Sequence, residues 1–338
     1  KELRPRWRRA IDAVNGAMGE AVGQLYVEKH FPPQAKERML QLVDNLSEAL
    51  GERIDQLPWM SDATKAKAHE KLGTFIVKVG YPDKWKDYTS LDIKGDSYWQ
   101  NRARAAEFAY AEMIDELGKP VDRDKWYMSP QTVNAYYNPS SNEICFPAGI
   151  LQPPFFYMDG DDALNYGGIG VVIGHEMTHG FDDQGRKFDK DGNLTDWWTE
   201  DDARRFDERA RVLVDYFDNI AVLDTVHANG TFTLGENIAD HGGLQVSYQA
   251  FQKTEQARQG ESLDGFTPDQ RFFLSYANLW AGNIRDAEIL RLTRVDPHSL
   301  GKWRVDGALP HIGAWYEAFG IQPDDPMYLP EEERASIW

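Results

Sequence analysis

His175-Glu176-Met177-Thr178-His179 sets two imidazoles four residues apart, with a carboxylate directly after the first. On a helix, positions i and i+4 lie one above the other on the same face. Both rings can then address one ion at the zinc–nitrogen distances of about 2.0–2.1 Å. Glu176 points partly away from the metal axis and can reach a water on the metal and take its proton. The competing reading is a surface helix with scattered polar residues. The apolar run Ile169-Gly170-Val171-Val172-Ile173 speaks against it, because it carries the motif toward the interior, where polar groups need partners.

A catalytic zinc needs a third protein ligand and an open position. Leu234-Gly235-Glu236-Asn237-Ile238-Ala239-Asp240-His241-Gly242-Gly243 offers two carboxylates, Glu236 and Asp240, again four apart. One can bind the metal while the other accepts the free ring N–H of a ligating histidine. Taken alone, an acidic pair at a helix start is ordinary; the first motif is what makes it a candidate.

The elements that must hold these residues read as mainly helical. Arg8 to Lys29 runs without proline, and Met39, Leu42, Val43, Leu46 and Leu50 place a helical spacing within Gln34 to Leu57. Ser61-Asp62-Ala63-Thr64 starts a helix that Gly73 stops. Tyr81 to Gly95 is turn-rich and is the expected boundary; a helix over about Ser97 to Leu117 follows. Gln131 to Tyr137 and Glu143 to Phe146, around Asn138-Pro139-Ser140-Ser141-Asn142, predict a hairpin. Helical segments resume around 166–183, 199–218, 236–257, 268–282 and 284–292. Asp189-Lys190-Asp191-Gly192-Asn193 is a loop whose likeness to a calcium loop fails for want of a glutamate at the twelfth position.

The 338 residues suffice for roughly two domains, and 41% apolar with 12% aromatic content excludes a disordered chain. A net charge of −18 argues against nucleic acid or an anionic membrane as the main partner. Cys145 is the single cysteine, so no intrachain disulfide forms; that points away from an extracellular animal domain. The apolar runs are too short for a membrane helix, which needs about 20 residues.

Taken together, HEMTHGFDD, GENIADHGG and NAYYNPSSNEICFPAGILQPPFF resemble the neprilysin and endothelin-converting-enzyme family of zinc endopeptidases, over nearly the whole chain. Val14-Asn15-Gly16, Gly80-Tyr81-Pro82, Asp196-Trp197-Trp198 and the final Trp338 belong to the same likeness. The resemblance implies a mainly α fold with a small antiparallel β element. A thermolysin-like zinc-peptidase catalytic domain would occupy 97–338, and 1–96 would be a helical segment of a second lobe and its linker. It implies one zinc ion on His175, His179 and Glu236, with Glu176 as general base. Asp240 would orient one histidine and Asp182 the other. Asn134 and Ala135, on the first strand of the hairpin, would hold an extended peptide substrate. His298 would steady the oxyanion, and Arg304 would grip a substrate carbonyl. Ile150, Phe155, Val171, Val172, Leu279 and Trp280 would form an apolar pocket for a large residue just after the cleaved bond. No covalent intermediate is implied, so Ser141 and Cys145 are not nucleophiles.

Two departures stand out. Leu300 sits where family members often have proline, and the end Ala335-Ser336-Ile337-Trp338 lacks the cysteine of animal members. The first is expected to be tolerated; the second resembles a bacterial-type member, expected in the periplasm or secreted, with the cytoplasm as the alternative. Family members are about twice as long. The missing N-terminal half, present as a separate chain or earlier in the same one, is the expected partner, covering apolar faces such as Met39, Leu42, Val43 and Leu46.

Overall fold

The computed structural model describes residues 2–338. It is mainly helical, with two small sheets, as the sequence predicts. Two compact units emerge, each assembled from separate stretches of chain: residues 1–37, 78–134 and 146–151 in one, and 38–77, 135–145 and 152–338 in the other.

The elements run α1 (Arg6–His30), α2 (Pro33–Gln56), α3 (Asp62–Leu72), β1 (Ile76–Gly80), α4 (Tyr98–Asp115), β2 (Tyr136–Asn138) and β3 (Glu143–Pro147). They continue with α5 (Asp162–Asn165), a π-turn at Tyr166–Gly170, α6 (Val171–His179), α7 (Glu200–Asp218), β4 (Ala221–Leu223), β5 (Val226–His227) and α8 (Leu234–Gln252). The chain closes with α9 (Glu255–Gln259), α10 (Pro268–Leu279), α11 (Asp286–Val295), α12 (Gly301–Asp306) and α13 (Gly313–Phe319).

Several starts are written in local chemistry. Ser61, Ser97, Thr199 and Thr267 each cap a helix by accepting the backbone N–H three residues on. Thr267 and Gln270 complete a reciprocal capping box.

In the first unit, Gly19 and Gly23 of α1 let Ser129 and Pro130 come against the helix backbone, and Gln131 bonds to Asn15 and to the Gly19 carbonyl. This unit exposes apolar side chains along α1 and α4, Trp7 and Trp99 among them.

In the second unit, α6 crosses α8 at glycines. A Cβ on Gly174 would sit 2.9 Å from the Gly243 backbone, and one on Gly243 would sit 2.6 Å from the Val171 carbonyl oxygen. Only residues without side chains allow so close an approach. The apolar face of α2 is covered here as well. Met39, Leu42, Val43 and Leu46 are all buried, with Asn45 donating to the Tyr166 hydroxyl at 2.7 Å and Arg53 reaching Gln249 at 3.0 Å. The expectation that this face awaits an outside partner is therefore corrected: the four side chains are buried within the chain itself.

The sheet order is β1-β3-β2, with β2 antiparallel to β3 in the register Tyr136↔Cys145, Tyr137↔Ile144 and Asn138↔Glu143. The first hairpin strand begins at Tyr136, not near Gln131. Residues 129–132 are drawn into a turn, Thr132 N–H donating to the Ser129 carbonyl and Gly149 N–H to the Pro130 carbonyl. Asn134 and Ala135 thus precede the strand rather than lie on it. Strand β1 and the β4–β5 pair had no counterpart in the sequence reading.

Candidate metal centre

Helix α6 carries His175, Glu176 and His179; the first turns of α8 carry Glu236 and Asp240. Glu236, Asp240 and Gly243 share one face of α8 at i, i+4 and i+7. The glycine crossing therefore presses both carboxylates onto the histidine helix.

The Nδ1 of His175 lies 2.8 Å from Asp240 Oδ1, and the Nδ1 of His179 lies 2.7 Å from Asp182 Oδ2. Those carboxylates keep the ring proton on Nδ1 and leave each Nε2 with a free lone pair. The two Nε2 atoms face each other at 3.0 Å. Glu236 Oε2 completes the group, 3.2 Å from His175 Nε2 and 3.6 Å from His179 Nε2. It is buried and has no hydrogen-bond partner.

Three electron-rich atoms so close together need a cation between them. A tetrahedral ion with ligands at about 2.0–2.1 Å would space those ligands about 3.3 Å apart, and the observed separations bracket that value. Two nitrogens and one carboxylate oxygen, with a side left open, suit a catalytic zinc. His175, His179 and Glu236 form the one such cluster among the described residues.

The surroundings are charged and ordered. Arg304 is buried and holds Asp240 with two nitrogens, Nε to Oδ2 at 2.8 Å and Nη2 to Oδ1 at 2.5 Å. Its guanidinium lies 3.8 Å from the ring centre of Trp280, and its carbonyl accepts the Tyr276 hydroxyl at 2.7 Å. His298 brings Nε2 to 3.2 Å from Glu236 Oε2, while Asp296, two residues earlier, holds its Nδ1 at 2.8 Å. Asp296 escaped the sequence reading, although its spacing from His298 was there to be seen. Glu176 is largely buried and its charge acts on His179.

Of the expected pocket residues, Val171 is buried, and Phe155, Val172, Leu279 and Trp280 are half-buried in the unit that holds the centre. The Phe155 carbonyl accepts the Ile169 N–H at 2.7 Å, which ties it to the π-turn before α6. Ala135 is buried in the same unit. Asn134, exposed, and Ile150, buried, belong to the other unit.

Residues 134–335 match the profile of Peptidase family M13, and residues 1–82 match that family's N-terminal profile. The chain belongs to peptidase family M13. Among its curated relatives, human neprilysin is 39% identical over 98% of this chain and 46% of its own length. Bovine endothelin-converting enzyme 1 is 39% identical over 100% of this chain and 46% of its own. Among solved structures, the inhibitor-bound zinc metalloprotease of Mycobacterium tuberculosis superposes with a TM-score of 0.94 at 46% identity, over 100% of this chain and 52% of that one. The chain spans about half the length of the curated relatives it matches. No helix among the described residues is long and apolar enough to cross a membrane.

Proposed function

We propose that the protein of which this chain is part is a zinc-dependent endopeptidase that cuts oligopeptides on the amino side of large apolar residues. One observation carries the reading: three lone-pair atoms, His175 Nε2, His179 Nε2 and Glu236 Oε2, converge on one point. Bound by those residues, zinc would supply a Lewis acid that polarises a water and the scissile carbonyl. Asp240 and Asp182 fix the two rings so that their Nε2 atoms stay unprotonated and aimed. Glu176 takes the proton from the attacking water and returns it to the leaving nitrogen as the C–N bond breaks. His298, held by Asp296, would steady the carbonyl oxygen as it gains charge. Arg304 spends two nitrogens on Asp240 and has Nη1 left for a substrate carbonyl. Ala135 would hold the substrate backbone. Phe155, Val171, Val172, Leu279 and Trp280 would line the apolar pocket for the residue after the cut.

In this reading, residues 97–338 carry the peptidase chemistry, and the preceding half of the protein is their partner. The length of the relatives and the exposed apolar side chains of α1 and α4 support that partner. The bacterial structural neighbour supports a bacterial origin; the periplasmic or secreted location, against the cytoplasmic alternative, is a matter for fractionation.

The test is incubation of the full-length protein with a mixed peptide library, with and without a chelator, read by mass spectrometry. Chelator-sensitive cuts before Phe, Leu or Ile are expected. Charged residues at that position would overturn the specificity, and cutting indifferent to the chelator would overturn the mechanism.

A further inference from the structure

Lys71 is the last-turn lysine of α3, yet it is only 1% exposed. Its Nζ donates to three backbone carbonyls, those of Gly180, Gly185 and Phe188, each at 2.7 Å. An ammonium has three N–H donors and no more, so this one is fully used. The rings of Tyr137, Phe181 and Trp197 surround it at 5.8, 5.7 and 5.9 Å, within reach of a favourable cation–ring attraction.

All three carbonyls belong to the segment that leaves α6 directly after His179. Helix ends leave their last carbonyls without partners and carry partial negative charge; the Lys71 ammonium answers both at Gly180. The same segment also carries an anion that binds its backbone. Asp182 Oδ1 accepts the N–H groups of Gln184 at 2.9 Å and Gly185 at 2.6 Å, and its Oδ2 meets His179 Nδ1. Lys71 Nζ and Asp182 Oδ1 thus both tie down the backbone of this loop. A Cβ on Gly185 would fall 1.7 Å from the His179 carbonyl oxygen, so the turn admits only glycine there.

We propose that Lys71 is a positioning residue for the metal centre: by gripping the 180–188 loop through its carbonyls, it sets Asp182 against His179. The proposal rests on the reading of His175, His179 and Glu236 as metal ligands. Lys71 touches neither metal nor substrate. Its effect runs through backbone, Asp182 and the imidazole, a longer path than that of an ordinary orienting carboxylate.

The experiment measures zinc release to a chelator from the full-length protein, well below its melting temperature, together with the visible spectrum of the cobalt-loaded form. K71M keeps the apolar stem and removes the donors; K71Q replaces it should K71M fail to fold. L72A destabilises the same helix turn through a neighbouring buried side chain, and H179A removes a proposed ligand. K71M should release metal roughly tenfold faster or more, the scale seen when groups behind the ligands are lost, and should alter the cobalt spectrum. L72A should stay within about twofold of wild type despite a lower Tm. K71R should behave as K71M does, because a planar guanidinium cannot aim at three converging carbonyls. A wild-type release rate in K71M, or release that simply follows Tm across K71M and L72A, would overturn the role of Lys71. Full metal retention by H179A would instead overturn the ligand assignment beneath it.

Discussion

Gly243→Ala should separate the fold from the metal centre. The added Cβ would lie 2.6 Å from the Val171 carbonyl oxygen, 2.8 Å from the His175 nitrogen and 3.2 Å from its Cα. All three are backbone atoms of α6 and cannot swing aside. Ordinary contact begins near 3.4 Å, and real Cβ atoms essentially never come under 3.0 Å. The helices must therefore part by roughly 0.4–0.8 Å at this crossing. Glu236 rides on α8 and the histidines on α6, so their 3.2 and 3.6 Å separations open by a similar amount. Metal–ligand distances tolerate only about 0.2 Å. We expect zinc affinity to fall by about 100-fold or more, against an overpacking cost in stability of about 1–3 kcal/mol. Chelator competition gives the affinity and urea unfolding of the metal-free protein gives the stability. Gly313→Ala, where an added Cβ meets nothing within 4 Å, should change neither. Wild-type zinc affinity in G243A would refute the argument that the helix crossing sets the ligand spacing.

Glu176→Gln should keep zinc and fold but lower kcat by roughly 10²–10⁴-fold, the range of a positioned base; activity within tenfold of wild type, with zinc content checked by metal analysis, would exclude Glu176 from that role. Acid should weaken the second unit through two buried histidines. Burial and His311 push His241 down to about 3, and burial and Arg334 push His311 down to about 4; both ring nitrogens of His241 and Nε2 of His311 lack hydrogen-bond partners among the described residues. Their folded values lie below the unfolded value of about 6.5, so their contribution is present above that pH and is lost as pH falls toward 4 and 3. Between pH 7 and 5 each costs about 2 kcal/mol, and urea unfolding of zinc-saturated protein should show H311Q losing about that much less than wild type; equal losses would show that His311 titrates alike in both states.

The two histidines and Glu176 were legible because their relation is local. A four-residue spacing on one helix fixes which side chains share a face, whatever surrounds the helix. The helix start at Ser61 was legible for the same reason, and so was the length of most helices. Glu236 and Asp240 entered through their own four-residue spacing and through likeness to a family. Nothing local to either motif says that they meet; a glycine crossing between α6 and α8 does that. The hairpin was anticipated, but its first strand was set about five residues early. Residues 131–135 have strand composition, and a turn at Ser129–Thr132 takes their hydrogen bonds elsewhere.

The α2 face was read as awaiting a cover, because an apolar stripe announces burial without naming what buries it. Lys71 lies furthest beyond the sequence. A lysine in the last turn of a helix reads as a solvated cation, and only the path of the chain after His179 turns three carbonyls toward it. Sequence determined which groups could bind and orient an ion, because those choices rest on spacings of a few residues along one backbone. Tertiary structure decided which of them converge, because convergence depends on how closely separate segments approach, and that is set by packing between residues far apart in the chain.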